Sequence, residues 1–281
     1  MISIVTVSYK SLDYVDTMLA SLFRFVDRDD LEIFVVINGD GTDPSALQRM
    51  YPRVRFIFSA TNLGFAGGCN LAIRQSTGDF VILLNPDTIF ESDAISEIEE
   101  RMRRDGDVGI GGISLKNLDG TQQDCVWQFP KPVDQLLLLS KLPHVLPNLG
   151  PIRRYLMKDF DYRRTQDVDQ VMGAFFCVRR DVIDTIGLLD DGFFLWYEEV
   201  DFSKRTVDAG WKVRYYSDVS ILHRKGGSFS RVGTWKKQGM VRRSLRRYMG
   251  KHHGRAAWLL FVVLDPVFLV LSFVASLIKP T

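Results

Sequence analysis

A doubly wound, mainly parallel α/β sheet is predicted by three features of this 281-residue chain. Short apolar runs recur without polar alternation, at Ile2 to Val7, Leu31 to Ile37 and Phe80 to Leu84, as in strands buried on both faces. Segments of helical spacing lie between them. Turn residues then follow the carboxyl ends of these runs, where open α/β sheets hold their ligands.

Taken in order, Ile2 to Val7 is the first strand and Ser8-Tyr9-Lys10-Ser11 a turn. Leu12 to Phe25 is a helix with Val15, Met18, Leu19 and Leu22 on one face. Leu31 to Ile37 is the second strand, closed by the turn Asn38-Gly39-Asp40-Gly41-Thr42-Asp43-Pro44, and a short helix runs to Met50. Val54 to Phe58 is the third strand. A Gly-rich loop, Asn62 to Asn70, enters a helix that ends near Gly78. Phe80 to Leu84 must stop at Pro86, which cannot donate to a ladder, so Asp87 and Thr88 stand at the carboxyl end of a central strand. Glu91 to Arg104 reads as a helix and Val108 to Leu115 as a strand. Leu118 to Gln166, with an apolar patch at Leu136 to Leu139, reads as an irregular excursion over the acceptor side. Val171 to Val178 is a strand, Arg180 to Ile186 a helix closed by Gly187, and Glu198 to Ala209 a helix stopped by Gly210. Lys212 to Tyr216 and Ser220 to Leu222 are short strands leading to His223.

Composition narrows the class. Hydrophobic content of 46% and charged content of 25% are ordinary for a globular protein, and a net charge of +2 points to no nucleic-acid partner. Three widely spaced cysteines, Cys69, Cys125 and Cys177, argue against a disulfide framework and for a reducing compartment. The chain opens directly on a strand pattern with no signal-peptide signature.

The chemistry-bearing residues form four groups. The Gly-rich loop does not fit the dinucleotide fingerprint, and no Gly-Lys-Ser/Thr phosphate loop occurs. The amides of Gly64, Gly67 and Gly68 can still approach a ligand, or those glycines serve only close helix packing. Asn85 and Asp87 can present two oxygens to a hard divalent cation, or Asp87 is a helix cap. Glu198, Glu199 and Asp201 open a helix behind the aromatic run Phe193 to Tyr197. The helix dipole favours their ionised form, and a carboxylate there can take a proton from a sugar hydroxyl. Asp201 and Arg205, four apart, also suit an ordinary ion pair. His223, followed by Arg224 and Lys225, is a candidate to complete a metal site beside a diphosphate, or a structural histidine.

In this order the motifs resemble those of an inverting glycosyltransferase of family 2 with the GT-A fold, over roughly residues 1–230. The resemblance implies that Asp87 is the metal-binding Asp of the family's Asp-X-Asp motif and His223 its late metal ligand, with Mg2+ or Mn2+ as the ion. Asn85, where many members have the first Asp, then touches sugar or ribose. Ser8 and Tyr9 match residues beside the nucleotide, and Asn62, Gly64, Gly67 and Asn70 belong to the donor-side loop. Glu199 takes the place of the catalytic base, usually Asp; its extra methylene leaves Glu198 or Asp201 as alternatives. Ile37-Asn38 replaces the family's Asp-Asn, so base recognition falls to Asn38, Asp40 or backbone groups. Arg224, Lys225 and Arg231 assist if their loop closes over the donor. The Asn-Pro-Asp form most resembles bacterial rhamnosyltransferases, implying dTDP-rhamnose as donor and a polyprenyl-diphosphate-linked sugar as acceptor. A UDP-sugar donor (galactofuranose or N-acetylhexosamine) is the first alternative. A catalytically silent domain that binds a membrane partner is the second.

The division expected is a nucleotide-sugar half over about 1–117, an acceptor half over about 118–230, and a basic and apolar appendage over 231–281. In the appendage Arg242, Arg243, Arg246, Arg247, Lys251, His252, His253 and Arg255 precede an apolar run from Ala256 to Ile278. A basic helix beside an apolar one suits an anionic membrane surface, through residues 242–278. Asp265-Pro266 near the centre of the run predicts two short interfacial helices breaking there, in preference to a span, with a homo-oligomer interface as a third reading. The location implied is the cytoplasmic face of the bacterial inner membrane, with Leu136 to Leu139 facing lipid.

Overall fold

The structure is a computed structural model, described here for residues 1–144, 146, 148–224 and 234–278. The first half alternates as expected. Strand β1 (Ile2–Ser8) leads to helix α1 (Leu12–Phe25), β2 (Leu31–Asn38), α2 (Ser45–Met50), β3 (Val54–Ser59), α3 (Gly64–Ile73), β4 (Phe80–Leu84), β5 (Thr88–Ile89), α4 (Ala94–Arg104) and β6 (Val108–Lys116). The second half is less regular: β7 (Val126–Trp127), α5 (Pro132–Leu139), a 3₁₀ turn, α6 (Gly150–Tyr155), β8 (Gln166–Val168), β9 (Gln170–Val171), β10 (Phe175–Arg179), α7 (Arg180–Ile186), α8 (Glu198–Asp208), β11 (Lys212–His223) and α9 (Thr234–Ile278).

Among the described residues the main sheet runs β3-β2-β1-β4-β10-β6-β11-β5, with β8 also paired to β11. Strands β1 to β4 are mutually parallel, as are β6 and β11, while β10 enters antiparallel between β4 and β6. Every residue of β1 and β4 is buried, which is why both read as continuous apolar runs. Helix α1 lays Val15, Met18, Leu19 and Leu22 on the core as its spacing requires. Cys69, Cys125 and Cys177 are buried and unpaired.

Several expectations are corrected. The run Val171 to Val178 is broken at Met172-Gly173-Ala174, so β9 pairs β7 while β10 joins the main sheet. The two strands expected before His223 are one, with a register shift between Tyr216 and Ser220. Helix α4 starts at Ala94 instead of Glu91, because the Asp93 side chain accepts from Ser96 N (2.9 Å) and caps it. The Gly-rich stretch is largely helix: α3 begins at Gly64, and Gly67 and Gly68 lie against Leu63 and Val7.

The appendage departs most. Its helix does not break at Asp265-Pro266. The non-helical residue is Gly254 (φ 86°, ψ 176°), and the helix continues through Pro266. The two arms fold together so that Arg242 Nε meets Asp265 Oδ1 (3.0 Å) and Arg246 Nη1 meets Asp265 Oδ2 (2.8 Å). The carboxylate that made a break seem necessary is therefore neutralised by the basic arm. Arg247 and Lys251 pair with Asp190, and Lys251 and His252 with Asp201. Most of the cations expected to face anionic lipid are thus paired with carboxylates of the protein, although Arg247 and Lys251 stay exposed, as do Arg243, His253 and Arg255. A second core joins the arms through Leu245, Tyr248, Met249, Phe261 and Phe268, together with Phe193 and Val200. Leu136 and Leu139 of α5 pack in part against this core.

Candidate active site

A cavity of about 780 Å³ opens at the carboxyl ends of β1, β2 and β4, a size suited to a small-molecule ligand. Val7, Tyr9, Asn38, Asn62, Gly64 and Phe65 line one side, with Asn85, Pro86 and Asp87 at the floor. Trp127, Tyr155, Gln170 and Met172 line the other. The segment from Phe194 to Val200 crosses it, and His223, Met240 and Val241 close it.

The metal-type corner is built by the sheet. Strand β4 ends at Leu84, and Asn85 N donates to Ala174 O (3.0 Å). After Pro86 the chain re-enters the ladder as β5, where Thr88 pairs with His223 of β11, and Arg224 N donates to Asp87 O (2.8 Å). Asp87 and His223 are therefore fastened side by side, and His223 Nε2 lies 3.5 Å from Asp87 Oδ1. Gln123 orients the imidazole. Its Nε2 donates to His223 O (2.7 Å) and Asn117 Oδ1 (2.9 Å), so its Oε1 is the acceptor facing His223 Nδ1 (2.9 Å). That places the proton on Nδ1 and a lone pair on Nε2. Asp87 Oδ1 is buried with no hydrogen-bond partner. Two buried lone-pair donors turned toward each other, one braced from behind, fit a divalent cation. Among the described residues no group of three or more His, Cys, Asp or Glu converges; Asp87 and His223 are the pair that could hold such an ion.

The acidic corner is built at the start of α8. Trp196 (φ 60°) and Tyr197 (φ 74°) both take left-handed backbone, which costs a non-glycine residue about 1–2 kcal/mol. This strained turn aims Glu198 and Glu199 into the cavity. Glu198 is buried and close enough to Cys69 of α3 to add to the effect of burial on that thiol. Glu199 is partly exposed, packs over Gly173, and its charge acts on Tyr155 on the opposite wall. Burial, and then the charge of Glu199, push Glu198 well above the usual carboxylate range. Burial raises Glu199 too, and each keeps one oxygen without a hydrogen-bond partner. A carboxylate whose pKa is raised while it remains reachable is a better base than an ordinary one. Gly64 joins the two corners. Its φ of 74° and lack of a side chain let Phe65 N donate to Phe194 O (3.0 Å); a β-carbon there would lie 2.2 Å from that oxygen.

Tyr9, Asn62, Gly64, Asn85, Asp87, Glu198, Glu199 and His223 come together on this cavity as the sequence suggests. Others are committed elsewhere. Asn38 touches the cavity, but its amide donates to Asn62 Oδ1 (3.2 Å) and Gly64 O (2.9 Å) and accepts from Leu63 N (3.0 Å), shaping the loop. Asp40 organises its own turn, accepting from Thr42 N and Oγ1 and from Lys10 N. Ser8 is buried with its hydroxyl on Ser11 Oγ (3.1 Å). Asn70 bridges to Leu189 through both its oxygen and its nitrogen. Gly67 faces Leu63 within α3. Asp201 is fully buried among Arg205, Lys251 and His252, away from the cavity lining. Arg224 is exposed, its guanidinium over the Tyr14 ring (5.5 Å). Lys225 and Arg231 lie outside the described residues.

Sequence reasoning missed Gln123, Trp127, Tyr155, Gln170, Met172, Met240 and Val241. Isolated residues such as Gln123, Trp127 and Tyr155 in the irregular excursion carry no periodic signal, Met172 reads as part of a strand, and Met240 and Val241 fall in the appendage, which reads as membrane-facing.

Comparison with known proteins agrees with this fold. The chain is 27% identical over 247 residues to the N-acetylglucosaminyl-diphospho-decaprenol L-rhamnosyltransferase of Mycobacterium tuberculosis, covering 81% of this chain and 77% of that protein. It is 25% identical over 237 residues to the rhamnosyltransferase WbbL of Escherichia coli, covering 79% and 83%. The fold is similar to that of the mannosyltransferase PcManGT from Pyrobaculum calidifontis, solved with GDP-Man and Mn2+, with a TM-score of 0.59, 16% identity, and coverage of 100% of this chain and 76% of the other. GalNAc-T7, solved with UDP, GalNAc and Mn2+, gives a TM-score of 0.62 at 13% identity, over 89% and 47%. Residues 3–187 match the family model for glycosyl transferase family 2, and the chain belongs to that family.

Proposed function

We propose that the chain is an inverting rhamnosyltransferase. It moves L-rhamnose from dTDP-β-L-rhamnose to a hydroxyl of a polyprenyl-diphosphate-linked sugar, N-acetylglucosamine, in bacterial cell-surface polysaccharide synthesis. The observation that carries the reading is the convergence, in one cavity, of the unsatisfied Asp87–His223 pair and the raised Glu198–Glu199 pair. The names of the relatives support the sugar and the acceptor.

Glu199 is the base in this reading. It is the more exposed of the two glutamates and lies toward Tyr155 and Gly173, on the acceptor wall. It takes the proton of the acceptor hydroxyl as that oxygen bonds to the anomeric carbon and the bond to the dTDP oxygen breaks, inverting the centre. Glu198, the more deeply buried, stays protonated on the donor side and can donate to a sugar oxygen. Asp87 and His223 would hold Mg2+ or Mn2+ beside the donor diphosphate. Such an ion supplies Lewis-acid stabilisation of the charge developing on the leaving diphosphate. Trp127, Tyr155 and Trp196 give the acceptor wall flat apolar faces and exclude water.

The appendage supports work at a lipid surface. Leu259, Leu260, Val263, Val267 and Val270 are 40–63% exposed along one arm of α9, and Gln238–Ser272 meets the length and composition of a membrane-crossing helix, though the bend at Gly254 folds it back on itself. In this reading the exposed stripe lies in the cytoplasmic face of the inner membrane and brings the cavity to a lipid-linked acceptor. Its attachment is mainly apolar, since the cations are largely paired within the protein.

The test is transfer from dTDP-rhamnose to lipid-linked N-acetylglucosamine with magnesium or manganese. Transfer from a UDP-sugar instead would overturn the sugar assignment. That second reading is favoured by one observation: Ile37 stands where the family has Asp, and the Asn38 amide is committed to the loop. Thermal shifts across a panel of nucleotide sugars separate the two.

A further inference from the structure

We propose that Asp201, with Lys251 and His252, is a positioning latch through which the C-terminal helical hairpin sets the aim of Glu199. The inference rests on Glu199 being the base. The turn that aims it is strained, since Trp196 and Tyr197 are both left-handed. Such backbone persists only where its surroundings over-determine it.

The hairpin supplies much of that restraint. Ser244 Oγ donates to Leu195 O (2.8 Å), just before the turn, and Tyr248 lies against Tyr197 with centroids 5.6 Å apart. Phe193 is buried in the core shared with both arms of α9. On the other side of the turn, Asp201 N donates to Tyr197 O (2.8 Å), closing the first hydrogen-bonded turn of α8. The Asp201 carboxylate is fully buried. It accepts from Arg205 Nε (2.9 Å), from Lys251 Nζ (2.8 Å to Oδ1, 2.9 Å to Oδ2) and from His252 Nε2 (2.7 Å).

An ordinary intrahelical pair explains Arg205 alone. It explains neither the burial nor two donors from an element fifty residues away. Burial alone would raise the Asp201 pKa, but the hydrogen bonds from His252 and Lys251 and the charges of Arg205 and Lys251 bring it below the usual value. Arg205 is itself tied to Ile186 O and Leu188 O (2.8 Å each), and Lys251 also holds Asp190 (2.8 Å). The latch therefore joins α8, the loop before it and the hairpin at one carboxylate, one helical turn from the glutamates.

The experiment compares the full chain with His252→Ala, His252→Gln, Ser244→Ala and Asp201→Asn. Turnover and donor KM are measured, with dTDP affinity by calorimetry and amide exchange over residues 195–201. For His252→Ala the expected result is a kcat loss of roughly 10- to 100-fold, the scale of a misplaced catalytic group. Donor KM and dTDP affinity stay within about twofold, and exchange in 195–201 quickens roughly tenfold or more. His252→Gln, which keeps a donor for Asp201, restores most of kcat; Ser244→Ala shows the same pattern more weakly. Wild-type kcat in His252→Ala, or unchanged exchange over 195–201, overturns the latch. So does a loss in which dTDP affinity falls in step with kcat, because that marks general destabilisation. If Asp201→Asn does not fold, the His252 pair decides. The exchange arm needs no donor, so it judges the latch even if the sugar assigned above is wrong.

Discussion

Asp87 and Glu199 face the same cavity but are held in different ways. Asp87 stands between two strands: β4 delivers it, β5 carries the chain into a ladder with β11, and His223 arrives on that ladder. Its fastening is backbone hydrogen bonding within the sheet. Glu199 stands on a strained turn fixed from outside the sheet, by Gly64 on one side and by Ser244, Tyr248, Lys251 and His252 on the other. The difference teaches that the Asp87–His223 corner is held by the α/β domain's own ladder, whereas the Glu198–Glu199 corner is also contacted by the hairpin.

Substitutions can sharpen or break that contrast. The largest effect is expected from Glu199→Gln: turnover falls roughly 10²- to 10⁴-fold, as for loss of a general base, while dTDP affinity by calorimetry is retained. Gln123→Leu frees His223 Nδ1 and should weaken Mn2+ affinity, read by titration, roughly 10- to 100-fold. It should leave exchange in 195–201 unchanged; a change there would show the two corners coupled. Gly254→Ala places a β-carbon on left-handed backbone at the hairpin bend, costing about 1–2 kcal/mol, or roughly 2–8 °C in melting temperature. It should lower kcat without altering Mn2+ affinity.

The smallest effect is in Glu198→Gln. Glu198 has a folded pKa well above its ordinary 4.5, so folding takes up a proton there. Its contribution is fully present below the ordinary value and is lost as pH rises through the folded one. The glutamine variant should therefore melt higher than wild type at neutral pH and equally at about pH 4. A lower melting point at neutral pH would show that Glu198 is held ionised.

Much of this was legible because it is local. Continuous apolar runs marked β1, β2 and β4, and Pro86 marked where β4 stops and an acid is left at its end. The paired glutamates behind an aromatic run were visible for the same reason. Asn38 and Asn70 looked like ligand contacts because sequence shows a polar side chain but not its partner; the fold turns Asn38 to Gly64 and Asn70 to Leu189. Asp265 was misread in the same way. A carboxylate beside Pro266 in an apolar run suggests a break until Arg242 and Arg246 meet it across the hairpin.

By itself the sequence determined the alternating α/β order, the acidic turn at Asp87, the acidic helix start at Glu198 and the presence of a basic and an apolar segment after residue 231. Only the tertiary structure decided that these last segments fold on each other at Gly254 and pack against the start of α8. The physical reason is range. Strand burial and turn chemistry are set by neighbouring residues, whereas the pairing of a buried charge depends on which distant donors the packing brings within about 3 Å.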